Sequence, residues 1–427
     1  MLKKLMRLRD RLRQRMTMVI SLICIAVAMP INAASEKQIL TLQAAVEKTL
    51  RQNPQLHQFA FTQQRLMAMR ETSALKPGYS LDVRLEDFAG SGETKGIDSA
   101  ELTVALSSVI ELGDKPQSRI SVIDASLDKF ELEKQAQTLD VLGSVTSAFV
   151  LLLTTQEEIK LSAEAVTLSE ALYKTVKERT KRGAASDAEA MRAKALLTQS
   201  RIQQDNFQMK LERQKVSLAK YWSETTVEFS ELSGDLFSFG QSQRFTELYE
   251  KVKQSPAMMV FASEMRLKEA SVRLAETQNR ADLGWQFGVR HIEASGDNAF
   301  TVGLSIPLFN ESRNRGSVNA ARAEQSAVAY QSTNRMLMLH DQLFSAYSQR
   351  QQFIKAHQQL RSQVIPNLEE ALDITRDAYN RGRLKYQDWI AAQQELLNAK
   401  QQMIKTASAA LLNQAVIEQL TAEPLTN

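Results

Sequence analysis

The sequence has little cysteine, glycine or proline, and each shortage excludes a class of structure. Its 427 residues include 1 Cys, 15 Gly and 8 Pro, and 6% are aromatic. The cysteine, Cys24, lies in an N-terminal apolar run that we expect to be removed, which excludes disulfide and thiol chemistry from the mature chain. A lipid on Cys24 is disfavoured, because the residue lies mid-run and follows Ile23 rather than a small residue. The scarcity of helix breakers instead favours long helices.

Long hydrophobic runs are also lacking. The apolar run Val19–Met29 follows a basic segment, residues 1–16, and precedes Ala33 and Ala34. A helix needs about 20 apolar residues to cross a bilayer, so this shorter run predicts a secretory signal peptide over residues 1–33. Its removal takes away seven bases and one acid, which changes the formal charge from +4 to about −2. The basic pI therefore gives no argument for a nucleic-acid partner.

Three short motifs occur twice in the same order, about 200 residues apart. They are Gln52-Asn53-Pro54 with Gln254-Ser255-Pro256, Thr103–Ser107 with Thr301–Ser305, and Arg182-Gly183 with Arg381-Gly382. Solenoid repeats are about 20–50 residues long, so this is a different kind of duplication. We predict a first repeat over residues 34–240 and a second over 244–427, each beginning with short helices.

Each repeat contains a long tract with almost no helix breaker. The tract from Pro116 to Arg182 has one glycine, and the tract from Ser317 to Arg381 is interrupted by Pro366 alone. Apolar and small residues recur at steps of three and four, as in a coiled coil. Each tract turns at an Arg-Gly pair and continues as a second helix. We therefore predict two helical hairpins, over about 114–222 and 312–420, with a linker over 223–243.

Strand-like segments with alternating apolar and polar residues precede each hairpin. Two such strand pairs are predicted, over about 79–110 and 284–308. Each strand has about ten residues, enough to cross a bilayer when tilted, and its two faces suit lipid and water. Four strands cannot close a barrel, so the strands alone leave two possibilities open. They form soluble hairpins, or several copies share a barrel, and three copies would supply twelve strands.

The most specific stretches resemble a known family. They are Leu304–Asn310 at the end of the last strand, Val364-Ile365-Pro366 through Ala378–Gly382, and Leu384–Ile390. With the duplication and signal peptide, they make the chain similar to the TolC-like outer membrane efflux proteins, closest to the heavy-metal-efflux (CzcC-like) branch. The first repeat departs from the pattern, because Ser108–Leu112 replaces the proline-bearing strand end of the second.

The resemblance implies an assembly that one chain cannot form. It implies a homotrimer with a shared 12-stranded β-barrel in outer membrane lipid and an α-barrel tunnel that extends into the periplasm. It also implies two protein partners, a periplasmic adaptor (membrane fusion protein) and an inner membrane RND-type pump. The fold class expected from these inferences is mainly α with a small β part.

The sequence shows no pattern typical of an enzyme, a cofactor site or a metal site. Its four histidines are scattered, and no phosphate-binding loop or nucleophile motif is present. Three methionine pairs resemble soft-metal ligands, but core packing is the favoured interpretation: Met67 with Met69, Met258 with Met259, and Met336 with Met338. We expect no cofactor, no nucleic acid and no catalysis.

The hairpin turns carry the candidate site residues. Gly183 and Gly382 permit the positive φ that a reversal at a helix end requires. Arg182 and Arg381 place cations at the C-terminal ends of helices, where the dipole favours them, and plain capping suffices to explain them. By the resemblance, these four residues form the tips that dock on the adaptor.

Acidic residues lie six positions after each tip glycine, Glu189 and Asp388. A surface helix carries acids routinely, but in a trimer these would place six carboxylates at one end of the tunnel. By the resemblance, Asp388 matches an aperture aspartate and Tyr379 a tyrosine that ties neighbouring helices shut. Ala391 stands where the family has a second aspartate and Leu384 where it often has an arginine, so we expect a weaker or different closing network.

These inferences predict a passive outer membrane channel of a tripartite efflux system, most consistent with metal cations. The same channel could serve an exporter of organic drugs or solutes, or type I secretion. A periplasmic adaptor would have one hairpin and compact β domains, and a coiled-coil scaffold would need no amphipathic strands. Both fit the duplicated strand pairs less well.

Overall fold

The computed structural model describes residues 38–423, so the predicted signal peptide lies outside the described residues. The first half contains β1 (Gln38–Thr41), α1 (Leu42–Gln52), α2 (Pro54–Ala74), β2 (Ser80–Glu86), β3 (Glu101–Ile110), α3 (Lys115–Lys181), α4 (Asp187–Ala219) and β4 (Phe229–Ser233). The second half contains α5 (Phe245–Lys253), α6 (Pro256–Thr277), β5 (Leu283–Ile292), β6 (Asp297–Ser305), α7 (Asn310–Gln359), α8 (Ile365–Asn380) and α9 (Tyr386–Thr421).

The longest helix, α3, has 67 residues and extends for about 100 Å. It begins after Asp114, which adopts the left-handed conformation, and has Pro116 in its first turn, where the missing N–H costs nothing. Within residues 38–423, α3 alone contains a stretch long and apolar enough to cross a membrane, and half of that stretch is buried in this chain. Its apolar side chains, such as Val145 and Leu152, are core residues.

Proline 366 does not break the second long tract. A single π-helical turn, Leu360–Val364, joins α7 to α8, and Pro366 lies in the first turn of α8. Proline lacks the N–H for a helical hydrogen bond, and its ring crowds the carbonyl one turn earlier. The wider π turn accommodates both effects, so the tract continues as helix past the proline.

The two hairpins pack against each other through an apolar core near their turns. Leu172 and Val176 of α3, Leu372 of α8, and Trp389 and Leu396 of α9 belong to this cluster. A second cluster joins α5, α7 and α9 further from the turns, with Leu248, Leu339, Leu343 and Ile417 at its centre. Burial of these side chains holds the helices of both halves in one body.

The short strands β1 and β4 form a two-stranded sheet. Within the described residues, Gln38–Leu40 and Glu228–Leu232 make a compact unit of their own. Neither strand is predicted from the sequence, where the region of β4 lies in the predicted linker.

The other four strands form one antiparallel sheet in the order β2-β3-β5-β6. The strand pairs of the two halves meet at β3 and β5, whose register extends from Glu101 opposite Ile292 to Ile110 opposite Leu283. The predicted fold class of a single chain is therefore confirmed: it is mainly α, with two long hairpins and four amphipathic strands.

Candidate functional site: the hairpin tips and the four-stranded sheet

Both hairpins reverse direction through the same hydrogen-bonded turn. Gly183 has φ +74° and donates its N–H to the Thr180 carbonyl at 2.9 Å, and Ala184 donates to the Arg179 carbonyl at 2.8 Å. Equivalent bonds of 2.9 Å form at the second tip, from Gly382 to Tyr379 and from Arg383 to Ala378, and Gly382 also has φ +74°. This pair of bonds is a Schellman motif, which needs a residue with positive φ and so favours glycine.

The two tip acids cap the helices on which they lie. The Glu189 carboxylate accepts the Ser186 N–H at 3.3 Å, while the Ser186 hydroxyl accepts the Glu189 N–H at 3.2 Å. The Asp388 carboxylate accepts the Lys385 N–H at 2.8 Å. Both acids are the third residue of a helix that starts after an identical turn, and this common geometry explains their equal distance from the glycines.

The tip arginines lie in solvent. The side chains of Arg182 and Arg381 are exposed and form no salt bridge with another described residue. Both lie at helix C-termini, where a positive side chain interacts favourably with the helix dipole. No contact in a single chain tests the predicted docking role of these residues and of the two glycines.

An arginine that the sequence analysis missed joins the two hairpins at their tips. Arg179 of α3 donates from Nη1 to the carbonyl oxygens of Tyr379, at 2.6 Å, and Asn380, at 3.0 Å, at the end of α8. Its guanidinium lies 4.6 Å from the centre of the Tyr379 ring, within reach of a cation–π interaction. Arg179 thus adds a second hydrogen bond to the Tyr379 carbonyl, which also accepts the Gly382 N–H, and supplies one to the Asn380 carbonyl at the helix end. No sequence signal marks such a bond, because every residue has a carbonyl.

Tyr379 is a core residue of the tip in the single chain. It is 3% exposed, and its ring centre lies 5.2 Å from that of Trp389. Its hydroxyl is buried and has no hydrogen-bond partner among the described residues, as is also true of Tyr386. Burial raises the pKa of both phenols; nearby Arg179 opposes the shift at Tyr379, and Glu189 adds to it. The predicted tie to a neighbouring copy stays a prediction.

The four-stranded sheet has one apolar face that the chain does not cover. Across the strands, Val83 lies opposite Val104, Val104 opposite Val289, and Val289 opposite Phe300. The apolar side chains of this face are 40–78% exposed: Leu81, Val83, Leu85, Leu102, Val104, Leu106, Phe287, Val289, Phe300, Val302 and Leu304. At the helical end of the sheet, Tyr79 and Trp285 add an aromatic pair with ring centres 6.2 Å apart.

The opposite face of the sheet is polar and charged. Arg290 lies at its centre, where it donates to Glu101 at 2.7 Å and to the Thr103 hydroxyl at 3.1 Å. Asp82 accepts a hydrogen bond from Ser107 at 2.7 Å on the same face. The sheet thus separates an apolar surface from a hydrated, ionic one.

Close approach of β3 and β5 depends on Gly288. A Cβ at this position would lie 2.6 Å from the Ala105 Cβ and 2.7 Å from the Val104 carbonyl oxygen. Neither backbone can move aside without widening the strand pair, so the position requires glycine.

The described residues contain no group of three or more His, Asp or Glu side chains placed to hold a metal ion. The expectation that all six paired methionines fill the core is wrong. Met258 is buried and Met336 packs beside it, but the other four are 43–48% exposed: Met67, Met69, Met259 and Met338. They lie on helix faces that the described residues leave partly exposed.

The two long helical hairpins are joined to a sheet whose apolar and polar faces suit lipid and water. Residues 251–423 match the family model for outer membrane efflux proteins. The chain is 22% identical over 324 residues to the cobalt-zinc-cadmium resistance protein CzcC of Cupriavidus metallidurans, covering 76% of each chain. It is 24% identical over 246 residues to the nickel-cobalt-cadmium resistance protein NccC of Alcaligenes xylosoxydans xylosoxydans, covering 56% of this chain and 54% of NccC.

Among solved structures, the outer-membrane channel OprN has the same fold, with a TM-score of 0.75 at 17% identity, over 90% of each chain. The predicted resemblance to the TolC-like outer membrane efflux proteins is therefore confirmed. So are the predicted class of function, an outer membrane efflux channel, and the location in the outer membrane with extension into the periplasm.

Proposed function

We propose that this protein is the outer membrane channel of a tripartite efflux system and conducts divalent metal cations passively. In this proposal it works as a homotrimer, together with a periplasmic adaptor and an RND-type inner membrane pump that supplies the energy. The observation that carries the proposal is the four-stranded sheet, which exposes apolar side chains on one face and charged side chains on the other.

The free edges of the sheet support assembly from several copies. Within the described residues, β2 and β6 each pair on one side only. Unpaired N–H and C=O groups are too costly in hydrocarbon, so a sheet in lipid must close. Joining β6 of one copy to β2 of the next three times gives twelve strands. The Tyr79–Trp285 pair then lies at one membrane interface, where aromatic residues are enriched.

The long helices also carry stripes of exposed apolar side chains. On α4, Ile202, Met209 and Val216 recur every seven residues and are 48–61% exposed. On α7, Tyr330, Leu337 and Phe344 recur with the same period and are 53–81% exposed. A seven-residue apolar period is the signature of a coiled-coil contact, and neighbouring copies would supply it.

The charge of the sheet favours cations as substrate. Its polar face has four acids, Asp82, Glu86, Glu101 and Asp297, and two bases, Arg84 and Arg290. In a pore, such an excess of carboxylates lowers the energy of entering cations. Two relatives named for resistance to cobalt, zinc, cadmium or nickel agree with this substrate class.

The tips would dock on the adaptor and close the tunnel. Arg182, Gly183, Arg381 and Gly382 form the exposed turns that the adaptor would meet, while Glu189, Asp388 and Tyr379 lie just behind them. In this arrangement the adaptor spreads the hairpins, and the carboxylates line the aperture.

The membrane part of the proposal is tested by one charge placed on either face of β6. Val302→Arg puts an arginine on the apolar face, at a cost of about 2–4 kcal/mol near the bilayer centre. Thr301→Arg, the matched control, puts it on the polar face opposite Gly288. We expect the first variant to be lost from the outer membrane fraction and the second to insert as the wild type does. Equal insertion of both would refute the lipid-facing assignment.

The substrate is tested in a strain that lacks the gene. Growth is measured against divalent metals, Cu(I) and Ag(I), detergents and antibiotics, and the wild-type gene is then restored. We expect sensitivity to one or a few divalent metals only. Sensitivity to organic compounds without metals would instead identify a drug or solute channel of the same architecture.

A further inference from the structure

A strap of eleven residues, 234–244, is fastened to α7 by two buried side chains one heptad apart. The Arg350 guanidinium donates to the Gly240 carbonyl oxygen at 2.6 Å. One heptad further along α7, the His357 ring stacks on Phe237, with ring centres 5.4 Å apart, and meets Phe239 edge-on at 5.2 Å.

The hydrogen bonding of His357 fixes which of its nitrogens carries the proton. Nδ1 lies 3.3 Å from the Met403 carbonyl oxygen, which can only accept, so Nδ1 is the donor. Nε2 is therefore the unprotonated nitrogen of the neutral ring. The residue is 2% exposed, and its Nε2 atom is buried without a hydrogen-bond partner among the described residues. A proton added to the ring must go to this atom.

Charged groups line the cavity beside His357, but none of the described residues forms a hydrogen bond with Nε2. His357 lines a cavity of about 550 Å³, whose charged lining comes from every packed element: Glu157, Lys160 and Glu164 of α3, Asp235 of the strap, Arg361 of the π turn and Lys400 of α9. Glu157 is paired with Lys160, and Glu164 with Lys400, each at 2.7 Å. Asp235 already accepts the Phe237 N–H at 2.9 Å. Arg361, four residues after His357, repels a second cation.

We propose that His357 binds the strap to α7 in a pH-dependent way. The neutral ring packs against Phe237 and Phe239, and protonation of the ring releases both side chains. A buried imidazolium without an acceptor is costly, and that cost disappears when the ring becomes exposed to solvent. The adjoining π turn, Leu360–Val364, is a place where the helix can adjust. After release, Arg350 still holds the strap to α7.

The direction of the pH dependence follows from burial. Burial lowers the pKa of His357. The hydrogen bond to the Met403 carbonyl opposes this effect by a smaller amount, and the charge of Arg361 lowers the pKa by a still smaller one. The unfolded or released ring titrates near its usual value of about 6.5. The fastened strap therefore has its full stability above about pH 6.5 and loses stability as the pH falls towards the lower pKa of the packed ring.

Hydrogen exchange of the strap in the full-length purified protein tests the proposal. Exchange over residues 234–244 is followed by mass spectrometry from pH 7.5 to 5.0 and corrected for the intrinsic rate at each pH. We expect strap protection in the wild type to fall by about tenfold for each pH unit between the two pKa values. His357→Gln and His357→Phe should each remove this pH step, the second while keeping aromatic packing. His340→Gln, on the same helix but packed edge-on against Phe245, is the matched control and should keep it.

Two results would overturn the proposal. One is a wild-type strap whose protection is the same at pH 7.5 and pH 5.0. The other is a pH step that persists in His357→Phe, since another group would then be responsible.

Discussion

Arg179 offers the sharpest test of what holds the two hairpins together at their tips. The variant Arg179→Met keeps a long apolar stem but removes the guanidinium that bridges α3 to the end of α8. Its matched control is Arg182→Met, three residues further on, where the side chain is exposed and bridges nothing among the described residues.

The size of the effect follows from the contacts. Arg179 makes two charge-assisted hydrogen bonds to the end of α8, of 2.6 and 3.0 Å, and a cation–π contact at 4.6 Å. A third bond, of 3.4 Å, reaches the Ala184 carbonyl in its own hairpin. Such bonds contribute about 1.5–3 kcal/mol each when buried, and the cation–π contact about 0.5–1 kcal/mol. The acceptor carbonyls lie at a helix end that water reaches, which reduces the net loss to about 2–3 kcal/mol. At about 1.4 kcal/mol for each factor of ten, the ratio of joined to separated hairpin tips falls about 30- to 150-fold.

The assay is single-channel recording of the purified protein in planar bilayers, with circular dichroism to show that the helices are intact. We expect Arg179→Met to raise the open probability by one to two orders of magnitude, and Arg182→Met to behave as the wild type. If Arg179→Met gates normally, or if both variants open equally, the contact between α3 and α8 is not what keeps the tip closed.

Further predictions concern the sheet, the buried phenol and the tip acids. Gly288→Ala should lower the yield of folded protein because its Cβ would meet backbone at 2.7 Å, whereas Gly303→Ala, with nothing nearer than 3.6 Å, should fold normally; equal yields would contradict the close-approach argument. Tyr379→Phe removes a hydroxyl without a partner among the described residues, so the free energy of unfolding obtained from a thermal melt should change by less than about 1 kcal/mol. A larger loss of stability would point to a hydrogen bond with a neighbouring copy. Asp388→Asn and Glu189→Gln should each lower the cation-to-anion permeability ratio measured from reversal potentials, and an unchanged ratio in both would exclude the tip acids from the aperture.

The long helices were predictable because their formation depends on residues that are close together in the sequence. Between Pro116 and Gly183 the single glycine, Gly143, is the one residue that disfavours a helix strongly, and Gly183 supplies the positive φ that ends the helix. The four strands of the larger sheet were predictable for the same reason, since alternation along β6 is visible in the sequence itself. The division of the chain into repeats at residues 240 and 244 stays a prediction.

The features that were missed depend on contacts between distant parts of the chain. Pro366 was expected to interrupt its tract, but whether a helix breaks or widens at a proline depends on the packing of its neighbours. The pairing of β1 with β4 joins segments almost 190 residues apart. Arg179 binds carbonyl oxygens, which no sequence pattern distinguishes, and His357 is special only because Phe237 and Phe239 cover it.

The tip acids show how a structural role and a functional role can coexist in one residue. The equal spacing of Glu189 and Asp388 from the turns is explained by helix capping alone, so it is no longer independent support for an aperture. Capping nevertheless places each carboxylate at the positive end of a helix dipole, which favours negative charge there and offsets repulsion between like charges brought together by assembly. The amide variants Glu189→Gln and Asp388→Asn remove the charge and leave an oxygen able to accept the capping N–H. A change in ion selectivity at unchanged helix stability would therefore assign the charge to the pore, whereas unchanged selectivity would leave capping as the whole role of both acids.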